Sequence, residues 1–448
     1  MKDRPFIDTL IELNKYFNKP IYIVGGAVRN YILGYRIEDI DLAAAISPEQ
    51  MINNLSNSGF RVSLTSPKLF TLKIQKDDFS FEFTSFRKDT YTGGKHRPDT
   101  SSMTADILED AKRRDFTINS IYYDISKDSF NDPLRGIEDL RKGIIKTVDN
   151  PERVFSQDGL RLMRLIRQAA ELAMEIEPEV FEAAKKYSYL LRDIAIERIR
   201  EEFDKIIIAD TKYIKPNAHV RGFLLLDEAK LLEYFLPEIK KGKGVTQRKD
   251  FHKYDVYNHI LKCFEYSRPD IRLAALFHDI AKPFCINEDG SMKGHDRKGK
   301  EMAQNILNRM KYPKKTISQV KRLVNYHMYD LSGKAKDSTI RKFIQDNFDI
   351  LDKLIALKNA DHKAGGVVGG ESESATRLKR VYEKMKEDKI PFTIKDLQVD
   401  GKDLIELDVP NNKRSLALQS LLQATIYGGE MLKRKNQLRY LKENKNNF

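Results

Sequence analysis

Asp39 and Asp41 flank Ile40 in the run Glu38-Asp39-Ile40-Asp41-Leu42. If that run is a strand, alternation puts both carboxylates on one face. Neighbouring carboxylates repel unless a cation sits between them. Two Mg²⁺ ions, typically ~3.5–4 Å apart, are the usual solution in nucleotidyl transfer. One activates the attacking hydroxyl, and the other holds the triphosphate and the leaving pyrophosphate. A third carboxylate on an adjacent strand often completes such a site, and Glu82 in Phe79-Ser80-Phe81-Glu82-Phe83-Thr84 is the candidate. Upstream, Gly25-Gly26 precede a helix-like stretch with Arg29 one turn in. Glycines let backbone N–H groups approach phosphate oxygens, a helix N-terminus adds positive potential, and Arg29 offers a charged fork. Together these residues point to a site for a nucleoside triphosphate and two divalent cations.

Two further stretches fit the same chemistry. In Arg113-Arg114-Asp115-Phe116-Thr117-Ile118-Asn119, the arginines can take the triphosphate, while Asp115 or Asn119 can accept from a ribose hydroxyl. Asp158 and Arg161 lie three apart on an expected helix and so share a face. Asp only accepts hydrogen bonds and Arg only donates them. Cytosine and adenine each present an amino donor beside a ring-nitrogen acceptor, which this pair matches. Guanine and uracil present a carbonyl beside N–H, which it rejects. A separate cluster lies downstream: six of the eight histidines fall between residues 252 and 362. Imidazole and carboxylate are ligands for first-row transition metals. His278-Asp279 at the end of an apolar run would be costly to bury unless something binds them.

In this order, the motifs resemble the class II tRNA nucleotidyltransferases, the CCA-adding enzymes, with bacterial poly(A) polymerases as close relatives. The resemblance covers roughly residues 20–210: Gly-Gly…Arg…Asp-x-Asp, Arg-Arg-Asp-Phe-Thr-Ile-Asn, Asp132…Gly136…Asp139-Leu140, Gln157-Asp158-x-x-Arg161 and Glu197–Phe203. It implies that Gly25, Gly26, Arg29 and Arg114 bind phosphates and that Asp39 and Asp41 bind Mg²⁺. Asp158, Arg161, Arg164 and Arg167 would line the nucleotide pocket. ATP, CTP and the tRNA 3′ end are the implied partners, and an A-only enzyme is the alternative. The second cluster resembles the HD phosphohydrolases. That implies His259, His278, Asp279 and Asp361 as ligands of a divalent transition metal, with His295 and His327 matching further histidines of active members. A metal phosphohydrolase with a degenerate head is the rival reading.

Three departures stand out. Asn30 replaces the Asp expected after Val28-Arg29, and Gln157 replaces a Glu that would buttress Arg161. Tyr91 is followed by Thr-Gly-Gly-Lys-His-Arg-Pro rather than the usual loop sequence. That loop has full length, and its loss goes with CC-only addition in the family, so a CC-only variant is disfavoured.

These residues need a scaffold. Ile21–Val24 and Phe79–Thr84 read as strands, the polar stretch Lys88–Thr104 as a mobile loop, and nearly everything after 151 as helix. The expected class is α+β: a mixed α/β head at 1–145, a helical nucleotide- and RNA-binding neck at 146–215, a helical body at 216–370 with an HD domain at about 250–365, and a basic helical tail at 371–448. The apolar fraction of 41% suffices for cores, and no run approaches a membrane span. Only Cys263 and Cys285 are present, which excludes a disulfide scaffold. With no secretory-type N-terminal stretch, the expectation is a cytoplasmic protein. The net charge of +13 is unevenly placed. Residues 1–150 hold 22 basic and 22 acidic side chains, whereas residues 216–448 hold 45 against 31. The excess therefore falls where RNA backbone would be gripped.

Overall fold

A computed structural model describes residues 1, 4–91, 99–288, 290–366 and 369–448. Its strands are β1 (Tyr22–Val24), β2 (Asp41–Ala44), β3 (Arg61–Ser66), β4 (Thr71–Lys76), β5 (Phe79–Ser85), β6 (Arg87–Thr90), β7 (Thr100–Met103), β8 (Tyr122–Asp124), β9 (Ser129–Asn131) and a short parallel pair, β10 (Ile144–Ile145) and β11 (Glu175–Ile176). Seven of them form one sheet in the order β3-β4-β5-β2-β1-β8-β9. Every neighbouring pair is antiparallel except β2 and β5, which run parallel with Asp41 opposite Glu82. Ile23, Leu42, Leu72, Ile74, Phe81 and Phe83 are buried, as expected for alternating strands packed on a core.

Packing divides the chain into two units, Met1–Leu236 and Pro237–Phe448. The first continues past the sheet into helices. Leu160–Leu172 is the longest of these, and it buries Leu162, Leu165, Ile166 and Ala169 at helical spacing. The second unit is helical. Val256–Tyr266 packs along Leu351–Gly365, and His295–Arg309 along Lys314–Tyr326. Among the described residues, no helix is long and apolar enough to cross a membrane.

Three local expectations differ from the structure. Lys88–Thr104 is not all loop: β6 pairs antiparallel with β7, so its polar ends form a two-stranded ribbon. The segment 92–98 between them lies outside the described residues. Asp39 is not on a strand with Asp41, because β2 begins at Asp41 and Asp39 belongs to the extended approach. Asp158 and Arg161 do not share one helix either. The helix Pro151–Gln157 stops at Asp158, and the next begins at Leu160. Asp158 is extended (φ −152°) and accepts from the Leu160 N–H at 2.9 Å, so its carboxylate competes with helical continuation.

The segment Asp132–Leu140 shows why that motif reads as it does. Asp132 accepts the Gly136 and Ile137 N–H groups at 2.7 and 2.8 Å, capping the helix Gly136–Lys142. Asp139 accepts from the Thr117 hydroxyl at 2.7 Å. Gly136 itself is pressed onto the turn that carries Asn119: a Cβ there would lie 2.2 Å from the Thr117 carbonyl oxygen. Gly136→Ala is thus expected to destabilise the first unit by about 1–3 kcal/mol, read as a lower urea midpoint. An unchanged midpoint would show that the turn yields freely.

Candidate active site and metal centre

The turn between β1 and the helix Gly26–Ile32 sits against the acidic residues. Gly25 has φ +77°, and a Cβ on it would lie 3.6 Å from Asp41 Oδ2. Glycine therefore serves both the left-handed backbone and the close approach. Asp41 stands at the edge of β2 with its side chain open to solvent. Its surroundings still withhold enough water to push its carboxyl up to about 6, opposed by Arg114, while the charges of Glu82 and Asp39 add to the rise and Arg164 opposes it. Gly25, Asp39, Asp41, Glu82, Arg114 and Arg164 thus converge on one place. Among the described residues, Asp39, Asp41 and Glu82 do not form a group with all ligand atoms within 4.8 Å.

The arginines are anchored rather than free. Arg114 donates to Asp110 at 2.9 Å and to the Tyr122 hydroxyl at 3.1 Å. Asp110 is fully buried and also pairs with Arg113 at 2.7 Å. Burial alone would raise the Asp110 carboxyl, but both guanidiniums hold it well below the usual carboxylate range. Asp115 accepts from Arg164 Nε at 2.8 Å and from the Asn119 amide at 3.0 Å. This ties the Arg-Arg-Asp segment to the helix Leu160–Leu172. One turn on, Arg167 binds Glu171 at 2.8 Å and Glu202 of the helix Ile196–Ile206 at 2.5 Å.

Arg29 sits differently from the expected direct phosphate fork. It is 7% exposed, and its nitrogens donate to Asn30 (3.0 Å), Asn119 (2.7 Å), Gln168 (3.3 Å) and the Tyr213 hydroxyl (3.2 Å). Arg161 is also buried, donating to the carbonyls of Val154 (3.1 Å) and Arg113 (2.6 Å) and to Gln157 Oε1 (3.0 Å). Gln157 therefore still orients Arg161, by a neutral amide instead of a carboxylate. Tyr91, at the rim of β6, lies near enough to Arg161 and Asp158 to feel their charges, while burial pushes its phenol up.

Sequence reading missed Asp110, Gln168 and Tyr213. Asp110 stands three and four residues before the paired arginines on a helix, a spacing that could have revealed it. Gln168 and Tyr213 act across the fold and leave no local signal. The basic tail also looks different in place. Arg434 pairs with Asp403, Lys433 with Glu430 and Arg439 with Glu443, so part of its charge is compensated.

The second unit holds a histidine–aspartate centre. His278-Asp279 follow the helix Arg272–Phe277 and are buried with His259 and His327. His259, His278, Asp279 and Asp361 form one group that could hold a metal ion, and Asp279, His295 and His327 form another. Asp279 is shared: its Oδ2 lies 3.2 Å from His259 and from His278, and its Oδ1 3.2 Å from His295. His278, His295 and His327 each place Nδ1 within 2.8 Å of a backbone carbonyl three residues earlier. Nδ1 then carries a proton, and each Nε2 points inward. Neither Asp279 oxygen has a well-formed hydrogen bond. Burial would raise its carboxyl, but His278 and Lys282 hold it well below the normal range. Converging imidazole nitrogens around a buried carboxylate, with Lys282 2.6 Å from its Oδ2, are donor types that suit a cation site. The centre opens into a cavity of about 650 Å³ lined in part by Lys282, Lys358, Phe251, Met292 and Ser372.

Residues 21–146 match the Poly A polymerase head domain, 173–243 a family described as "Probable RNA and SrmB- binding site of polymerase A", and 254–357 the HD domain. The A-adding tRNA nucleotidyltransferase of Deinococcus radiodurans is 30% identical over 359 residues, covering 76% of each chain. This chain belongs to the class II tRNA nucleotidyltransferase family. Within the family it carries an HD domain, and dependence on divalent metal follows from both assignments. The CCA-adding enzyme of Ligilactobacillus salivarius is 34% identical over 230 residues, so the chain spans about half of that relative's length (55%). The fold also matches a Bacillus stearothermophilus CCA-adding enzyme solved with CTP, with TM-score 0.67 and 22% identity over 99% of both chains. A Thermotoga maritima CCA-adding enzyme solved with tRNA gives TM-score 0.57 and 17% identity, over 98% of this chain and 96% of that one.

The raised Asp41 carboxyl has a consequence for stability. A carboxyl whose folded value exceeds its ordinary value of 3.8 costs stability above about pH 6, where both states are ionised. Below about pH 3.8 both states are protonated and the cost vanishes. In chelator, Asp41→Asn is expected to raise the melting temperature at pH 7.5, with the gain gone near pH 3.5. A gain that persisted into acid would assign it to packing instead.

Proposed function

We propose that this protein adds CMP and then AMP, from CTP and ATP, to the 3′ end of tRNA without a template, in the cytoplasm. The observation that carries this reading is the β2–β5 register, which sets Asp41 opposite Glu82 beside the Gly25-Gly26 turn. Asp39 and Asp41 hold Mg²⁺, with Glu82 completing the acidic group. Magnesium bound there supplies Lewis acidity at the α-phosphate and makes the tRNA 3′ hydroxyl nucleophilic. The Gly25-Gly26 backbone and Arg114 hold the triphosphate, with Arg29 behind the turn. Asn119 and Asp115 lie toward the ribose side. Asp158 and Arg161 read the base, braced by Arg164 and Arg167. In this reading the chain has four parts, divided near residues 145, 215 and 370.

The test is stepwise. tRNA ending before CCA, after C and after CC is incubated with each NTP singly. CMP should enter the first two substrates, AMP the third, and GMP and UMP none. Absence of CMP incorporation everywhere would leave an A-only enzyme, and use of GTP or UTP would remove the Asp158/Arg161 argument. Asp39→Ala should lower addition at least a hundredfold, while His278→Ala should leave it within about twofold.

A second reading concerns the HD unit, where Asp279 serves two ligand groups. His259, His278, Asp279 and Asp361 hold a divalent transition metal for phosphoester hydrolysis. Elemental analysis of purified protein should show that metal, and His278→Ala should lose it with nucleotide addition intact. If His278→Ala protein kept its full metal content, the assignment of these ligands would fail.

A further inference from the structure

Arg29 poses an electrostatic problem. Its guanidinium is buried and stays charged, yet every hydrogen bond it makes ends on a neutral acceptor: Asn30, Asn119, Gln168 or Tyr213. A buried cation without a carboxylate in contact is held in place only by geometry. Three of these acceptors stand on the Gly26–Ile32 helix, the turn after Phe116 and the helix Leu160–Leu172. Tyr213 comes from elsewhere, just past the short helix Ala209–Lys212.

The Tyr213 hydroxyl accepts from Arg29 Nη2 at 3.2 Å and donates to Asn30 Oδ1 at 3.0 Å. Asn30 Oδ1 in turn accepts from Arg29 Nε and Nη2. Arg29, Asn30 and Tyr213 thus form a closed ring of hydrogen bonds. The Tyr213 ring stacks on Tyr35, with centroids 4.4 Å apart and planes at 19°. Tyr35 donates its N–H to the Asn30 carbonyl at 2.8 Å, and the Asn30 amide donates to the Arg36 carbonyl at 3.1 Å. The turn held in this way leads within a few residues to Asp39. On the other side, a Cβ at Gly26 would lie 3.6 Å from Arg29 Nη2, so the charge sits directly behind the glycine turn.

We propose that Tyr213 is a positioning residue for the nucleotide site, a latch whose hydroxyl fixes the Arg29 charge behind the Gly25-Gly26 turn and whose ring pins the approach to Asp39. Tyr213 lies in the stretch matching the RNA-binding family, 173–243. The latch therefore joins that module to the triphosphate pocket. The inference rests on the proposed role of the glycine turn in nucleotide binding. With Asn30 neutral, Tyr213 supplies a further contact that a carboxylate at position 30 would make redundant.

The experiment uses the full chain and measures KM and kcat for ATP and for CTP on tRNA acceptors, with thermal melts alongside. Tyr213→Phe keeps the stack and removes the hydroxyl. Its KM for both nucleotides should rise about three- to tenfold, with kcat at saturating nucleotide within twofold and the melting temperature little changed. Adding Asn30→Asp to Tyr213→Phe should restore KM, because a carboxylate holds the fork by charge-assisted bonds. A Tyr213→Phe enzyme with wild-type KM overturns the latch. A KM rise that comes with an equal fall in kcat or a clearly lower melting temperature also overturns it. If the wild-type protein itself shows no saturable ATP or CTP dependence, the nucleotide reading fails before the latch is tested.

Discussion

The parallel contact between β2 and β5 places Asp41 and Glu82 opposite one another, with Asp39 arriving just before β2 begins. Three carboxylates in one place raise the free energy of the fold unless positive charge is nearby. The rest of the first unit can be read as the supply of that charge. Arg114 comes from the segment after β7, and Arg164 from the helix Leu160–Leu172. Both act on Asp41. Arg164 reaches it only because Asp115 anchors that helix to the Arg-Arg-Asp segment. The Arg-Arg-Asp segment and the helix Leu160–Leu172 are thus tied together beside the acidic group, and Gln168, shared between Arg29 and Asn119, closes the same seam.

The histidine centre answers a similar demand differently. There Asp279 is enclosed and Asp361 only partly exposed, so little of their charge is spread through solvent. Asp279 instead faces His278 and His295, whose outer nitrogens are tied to main-chain carbonyls, as is that of His327, while Nδ1 of His259, the imidazole nearest Asp361, has no such tie. Those ties set ring orientation through helix ends and tight turns, which are rigid. In the first unit Asp41 is open to solvent, whereas the HD unit orients its imidazoles through main-chain ties.

Residue types and short spacings revealed the chemistry but not all of its placement. Gly25-Gly26, Asp41 and Glu82 were legible because strand alternation and a glycine turn are local signals, and β5 does lie beside β2. The histidine cluster was legible because imidazole is scarce in this sequence. Two errors share a cause. Assigning Asp39 to the strand, and Asp158 to the helix of Arg161, assumed that periodicity runs on to the functional residue. In both places the backbone leaves its regular path at that residue. Asp158 stops its helix by accepting the Leu160 N–H, and polar side chains at functional sites commonly compete with secondary structure in this way. Lys88–Thr104 misled because a polar ribbon lacks the apolar alternation by which strands are recognised. Gln168 and Tyr213 were invisible because their partners lie 139 and 184 residues away from them.

The arginines fall into two groups, and the division bears on mechanism. Arg114, Arg164 and Arg167 pair with buried acids, so their charge is largely spent within the fold. Arg29 and Arg161 are equally buried, but their hydrogen bonds end on amides, carbonyls and a phenol. Such acceptors fix direction without cancelling charge. Asn30 and Gln157 stand at the two positions where the family pattern has a carboxylate. They lie beside Arg29 and Arg161 respectively, so both departures have the same electrostatic sign. Each keeps an oxygen where the carboxylate oxygen would be and removes its negative charge. In the proposed reaction, the incoming triphosphate carries the negative charge that the Arg29 guanidinium lacks in contact. Pocket geometry is thus fixed before the nucleotide arrives, and attraction for the polyanion is kept in reserve.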